Sequence, residues 1–220
     1  MKRFLSIMTM LIIVIILSHR LSLIFEKKES GHLYYHTKPD VLKLLSSGNE
    51  ELIADALWLQ FIQIYGGHLQ KKQEFKNMDL LLNTIVDIDP HFLHAYTFGS
   101  ISLAYHVKKY KEAEKLIWKG IVNNPEKWEY LFWYGFLNYT VFRKHIKAGK
   151  FFWLASLKKG APDMTKRWAA FVFYKKVGNL QLSLRMWKNL YKTSKNKFEK
   201  EIAKNYIKKI KEKIERGVYE

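Results

Sequence analysis

The stretch "YKEAEKLIWKGIVNNP", Tyr110–Pro125, decides how the chain is read. Its apolar residues recur at spacings of three and four, the period of one helix face. It ends on a proline, which cannot continue a helix. The same ending occurs on either side: "IVDIDP" closes at Pro90 and "SLKKGAP" at Pro162. These prolines lie 35 and 37 residues apart, and an aromatic-rich helical pattern follows each within several residues. A near-constant period of helix, turn, helix and proline is how stacked helical hairpins are written in sequence. No convincing strand alternation interrupts it, so the expected fold class is all-α.

Working outward, each unit has a similar inventory. If a unit starts at Leu59 and ends at Pro90, Ile62, Tyr65, Gly66 and Leu69 take the packing face of its first helix. Phe75 takes the turn, and Met78, Leu82 and Ile85 the second helix. The unit ending at Pro125 places Tyr110, Ala113, Ile117 and Gly120 in the same register, after "AYTFG" through Gly99. The third has "YLFWYG" through Gly135, then "KAGKFFWLASL", with two extra residues before Pro162. The fourth starts near Trp168 and places Gly178, Ser183, Trp187 and Leu190, with no proline after it. In this order of large apolar, small and aromatic residues the chain resembles the tetratricopeptide-repeat (TPR) family, whose pattern is 34 residues long, over about residues 50–192. Among its members it is similar to bacterial membrane-anchored ones. The resemblance implies a TPR-like helical-hairpin solenoid of about four repeats that binds protein segments on its concave surface.

The flanks complete the organisation. Phe4 to Ser18 is uncharged for 15 residues behind Lys2 and Arg3. No small residues stand at the spacing a signal cleavage site needs, so residues 4–25 read as an uncleaved signal-anchor helix, with Arg20 reaching toward the interface. A cleaved signal peptide is the alternative. The basic segment ahead of the apolar run places the N-terminus inside and the rest outside, giving a single-pass inner-membrane protein whose soluble domain faces the periplasm. The expected divisions are 1–28 anchor, 29–48 linker and short helix, 49–192 repeats and 193–220 basic capping helix. In the last, Phe198, Ile202, Tyr206, Ile210 and Ile214 recur at fours as one apolar stripe.

Charge narrows the partners. The net charge is +18, distributed as +3 over residues 1–30, −3 over 31–90, +8 over 91–160 and +10 over 161–220. The basic C-terminal half favours an acidic partner. Nucleic acid is a weaker candidate, because 91–220 holds only Arg143, Arg167, Arg185 and Arg216, and lysine does not read bases bidentately. An anionic membrane surface is the other alternative. With no cysteine, disulfide frameworks, cysteine-based zinc sites and thiol catalysis are excluded.

No cofactor, metal or catalytic set is expected. His32/His36 and His91/His94 are two-residue pairs without a third ligand. Asp55 sits among apolar residues but has no second carboxylate beside it. Phosphate loops and nucleophile elbows are missing from the sequence. The chain is therefore read as a scaffold and not an enzyme. Its partner groove, from the family resemblance, would be lined by Gln60, Gln63, Gln70 and Lys71, then Glu129, Phe132, Phe136 and Tyr139, then Lys166, Ala169, Phe173 and Lys176. That series runs from neutral through aromatic to basic, suiting a segment with aromatic anchors and an acidic end. In "ADALWLQFIQIYGG", Ala54–Gly67, the reading packs Leu57, Ile62 and Tyr65, uses Gly66 to admit the paired helix, and puts Trp58 at the junction with the preceding short helix.

Overall fold

The computed structural model describes residues 39–71 and 77–217, together with the isolated Met8. Among the described residues every regular element is a helix. In order these are α1 (Pro39–Ser46), α2 (Glu50–Lys71), α3 (Met78–Ile88), α4 (Leu93–Ser102, continued by a π turn at Leu103–Val107), α5 (Tyr110–Asn123), α6 (Trp128–Thr140), α7 (His145–Ser156), α8 (Asp163–Lys175), α9 (Leu180–Thr193) and α10 (Lys197–Glu215). Contacts divide the chain at Lys38–Pro39. Helix α1 packs on α2 and α3. None of these helices is long and apolar enough to cross a membrane. The expected anchor, residues 4–25, lies outside the described residues apart from Met8.

The helices keep a stricter period than the prolines do. Leu93, Trp128 and Asp163 begin α4, α6 and α8 at intervals of 35, and Tyr110, His145 and Leu180 begin α5, α7 and α9 at the same interval. The turns between them repeat too. Lys108, Arg143 and Gly178, again 35 apart, all have positive φ. The amide one residue later reaches back to close each turn: Lys109 N to Leu103 O, Lys144 N to Asn138 O and Asn179 N to Phe173 O, at 3.0, 2.9 and 2.9 Å. The wider spacing of Pro162 is therefore not an insertion. Pro90 and Pro125 stand three residues before a helix start, whereas Pro162 is the residue directly before α8.

Packing follows chain order. Each helix packs chiefly on those one or two places away in sequence, so no long loop closures are needed. Small residues set the close approaches. A Cβ added at Gly120 would lie 2.6 Å from the Tyr130 ring and 2.9 Å from that of Tyr96. Leu82 fills the corresponding space at Gly99, Phe152 at Gly135 and Phe173 at Gly149. Polar groups tie helices within and between hairpins. Buried Asn124, at the end of α5, donates to Pro90 O at 2.8 Å and meets His91 Nδ1 at 2.6 Å. Ser183 of α9 donates to Ala170 O of α8 at 2.8 Å. Glu114 of α5 accepts from Tyr134 of α6 at 2.5 Å and from Lys147 of α7 at 3.0 Å, while Lys147 also contacts the Tyr134 hydroxyl.

Four packing expectations are corrected. In α2 the buried stripe is Ala54, Leu57 and Phe61, whereas Ile62 and Leu69 are 39% and 44% exposed. Among the described residues a Cβ at Gly66 meets nothing within 4 Å, so no described helix packs against this glycine. Trp58 turns forward onto α4, with its ring 5.6 Å from Phe92 and 6.0 Å from Phe98. In α10, Phe198 is 65% exposed and Glu199, Ala203 and Ile210 are buried, with Ile202, Tyr206, Ile207 and Ile214 packed on the core. A step of four advances the helix by about 40° beyond a full turn, so five residues at fours wind off one face.

Candidate functional site: the aromatic face of α6, α8 and α10

The sequence of α6, "WEYLFWYGFLNYT", puts Trp128, Phe132, Phe136 and Tyr139 within about 80° of arc at 100° per residue. All but Trp128 converge on one side chain of the next hairpin. Trp168 of α8 lies 6.5 Å from Phe132, 6.3 Å from Phe136 and 5.6 Å from Tyr139, centroid to centroid. The edge-on geometry of these pairs, with interplanar angles of 74–80°, is the favoured one for aromatic rings. The series continues from Trp168 to Phe171 and on to Tyr206 of α10. There Tyr206 stacks on Trp187 of α9 at 4.4 Å with the rings coplanar to 2°.

Where α8, α9 and α10 meet, a cavity of about 380 Å³ opens, lined by Arg167, Trp168, Phe171, Trp187, Ile202 and Tyr206. Arg167 reaches Glu199 at 3.4 Å. Glu199 is buried, and its second oxygen has no hydrogen-bond partner among the described residues. Neither has the Nε1 of the fully buried Trp187. Burial of an unmet indole N–H or carboxylate oxygen is costly unless something else satisfies it. At the other end of the face, Tyr139 packs on His145 at 5.6 Å. Burial, then the charges of Lys176 and Arg143, hold His145 below its ordinary pKa. Chemically the arrangement combines aromatic walls, one guanidinium at the rim and unmet polar atoms. Among the described residues no three His, Asp or Glu side chains gather as a metal site would need, and Asp55 is exposed.

The sequence-derived residues divide accordingly. Phe136 and Tyr139 are half-buried on this face. Phe132 is buried at its base, at 6% exposure. Glu129, at the start of α6, has a buried oxygen without a hydrogen-bond partner among the described residues. Gln60, Gln63 and Gln70 lie on α2, which packs chiefly on α1 and α3, away from the helices that build the cavity; the side chain of Lys71 lies outside the described residues. Of the set expected on α8, Ala169 and Phe173 need correction. Ala169 and Phe173 are buried at 0% and 5%, and Phe173 fills the space over Gly149. Lys166 is held by Asp163 and Thr193, at 3.5 and 3.1 Å. Lys176 is exposed beyond the end of α8.

The cause is the register. Counting from Pro162 shifts α8 by two residues, which on a helix is about 200° and exchanges the open face for the core face. The 35-residue interval instead matches Phe132, Phe136 and Tyr139 with Arg167, Phe171 and Tyr174. Continuing the 35-residue spacing of Pro90 and Pro125, instead of counting back from Pro162, finds them. The chain matches no protein-family model, no curated protein and no solved structure.

Proposed function

We propose that this chain is a membrane-anchored scaffold whose helical hairpins form a TPR-like solenoid. It binds a protein partner along the aromatic face and acts in assembling an envelope complex. The anchor rests on the uncharged run Phe4–Ser18. The solenoid rests on the 35-residue repetition of helices and turns, one residue longer than the family pattern. Partner binding is carried by one observation: an apolar cavity lined by Trp187, whose buried Nε1 has no hydrogen-bond partner among the described residues, and by Arg167, which pairs with the buried Glu199. A segment inserting an aromatic or branched side chain would fill it, a backbone carbonyl would meet the indole N–H, and an acidic neighbour would suit the basic rim.

A photo-crosslinking residue at Phe171 of the full-length chain, in its own membranes, tests this. The expected result is one dominant protein adduct that Trp168→Ala removes. Adducts that are absent, or that survive the substitution unchanged, would refute the binding site. Topology is separable: a reporter fused after Glu220 is expected to be active only in the periplasm, and activity only in the cytosol overturns that placement.

A further inference from the structure

The opposite side of the second helices carries a different surface. On α5, Lys111, Lys115, Trp118 and Val122 fall within about 60° of arc and are all exposed. On α7, Ile146, Lys150, Leu154 and the following Leu157 fall within about 80° and are exposed too. Trp118 reaches Phe151 of α7 at 6.4 Å, so the two stripes are adjacent. Between α7 and α9 lies a second cavity, of about 470 Å³, with Trp153, Phe173, Leu182 and Met186 forming its apolar part and Lys150 and Arg185 its charge. Neither α7 nor α9 contains a carboxylate. Residues 130–198 hold 15 Lys and Arg against a single acid, Asp163. On α7 and α9 the positive charge is therefore barely offset by their own residues, while Glu112 and Glu114 offset part of it on α5, Glu114 by pairing with Lys147.

Exposed Trp, Ile and Leu interleaved with uncompensated Lys and Arg match the two layers of a lipid interface. The apolar side chains enter the acyl boundary while the cations stay at the phosphates. A nucleic acid would use the cations but leave Ile146, Leu154 and Leu157 in water. The geometry points to this face, on α5, α7 and α9, as a docking surface for an anionic bilayer, with the α7–α9 cavity taking a lipid headgroup between Lys150 and Arg185. This surface is separate from the aromatic partner face, and neither depends on the other.

The chain contains no cysteine, so Leu154→Cys and Asn205→Cys each supply a unique probe site, the second being an exposed position on α10. Each full-length variant carries a fluorophore in nanodiscs of phosphatidylcholine, with or without about 30% phosphatidylglycerol, and quenching by spin-labelled lipid is read. The apolar N-terminal segment would hold the chain at either disc, so only the response to phosphatidylglycerol reports this face. The expected result is strong quenching at 154 in the anionic discs alone, reversed by high salt, with position 205 unaffected. Lys150→Gln with Arg185→Gln, both at exposed positions, should lower the docked-to-undocked ratio about thirtyfold. Equal quenching of 154 in both lipids, an equal response at 205, or no effect of the double substitution overturns the proposal. So does a probe at 154 that crosslinks to a protein while ignoring lipid.

Discussion

Two glycines of this chain look alike in sequence and differ in what surrounds them. Gly66 and Gly120 both sit inside helices, yet only Gly120 faces other side chains, the rings of Tyr130 and Tyr96. Gly66→Ala should stabilise the fold by about 0.5–1 kcal/mol, the helix-propensity gain with no clash. Gly120→Ala gains the same propensity but must displace two buried rings, and overpacking of that kind costs about 1–3 kcal/mol. Urea melts of the two variants should move in opposite directions. At His145, burial leads and the nearby Lys176 and Arg143 add to it, so the folded-state pKa lies below the ordinary 6.5. The native state then binds fewer protons than the unfolded one. This contribution is fully present above pH 6.5 and is lost as pH falls through the lowered value. Stability measured from pH 8 to pH 5 should therefore contain an acid-side loss that His145→Gln removes and Lys176→Gln reduces.

Among the elements, α9 and α10 begin on side-chain caps, and α10 is the last helix of the stack. Asn179 caps α9 by accepting from Leu182 N at 3.0 Å, and Asn196 caps α10 by accepting from Phe198 N at 2.9 Å. Replacing either by Ala should cost about 1 kcal/mol in denaturant melts, and by Gly only a few tenths. Helix α10 covers α9 through the Trp187–Tyr206 stack. Tyr206→Ala should destabilise by about 3 kcal/mol, the scale of removing a large packed aromatic, while Phe198→Ala, at an exposed position, should change the melt by less than about 0.5 kcal/mol. If both were equally damaging, the stripe of fours read in the sequence would be the true packing face.

For the folded body as a whole, burial is unevenly spread. A continuous cluster links α6 to α10, from Leu131 to Ile210. Helix α2, by contrast, leaves Leu52, Leu59, Ile62 and Leu69 exposed. Hydrogen exchange should find the amides of α6–α9 most protected and those of α1 and α2 least, because local opening is easiest where little apolar surface is buried. Uniform protection would mean one cooperative unit instead.

What the amino-acid order determined by itself was local. Apolar spacing of three and four made the body helical, glycine and proline marked the turns, and small residues at 99, 120, 135 and 149 lay where helices come close. Pro90 and Pro125 kept time with the helices, and Pro162 did not, because a proline fits either the first position before a helix or the turn ahead of it. A slip of two residues turns a helix through about 200°, so the same count that located α8 pointed its open face into the core. Only the tertiary structure decided which aromatics are packed and which are presented. Trp168 became the centre of a face because α6 places three rings around it, and Arg167, Ile202 and Tyr206, from two helices separated by α9, share a cavity through packing that no periodicity encodes. Periodicity is a property of one helix, whereas a site is made where several helices meet.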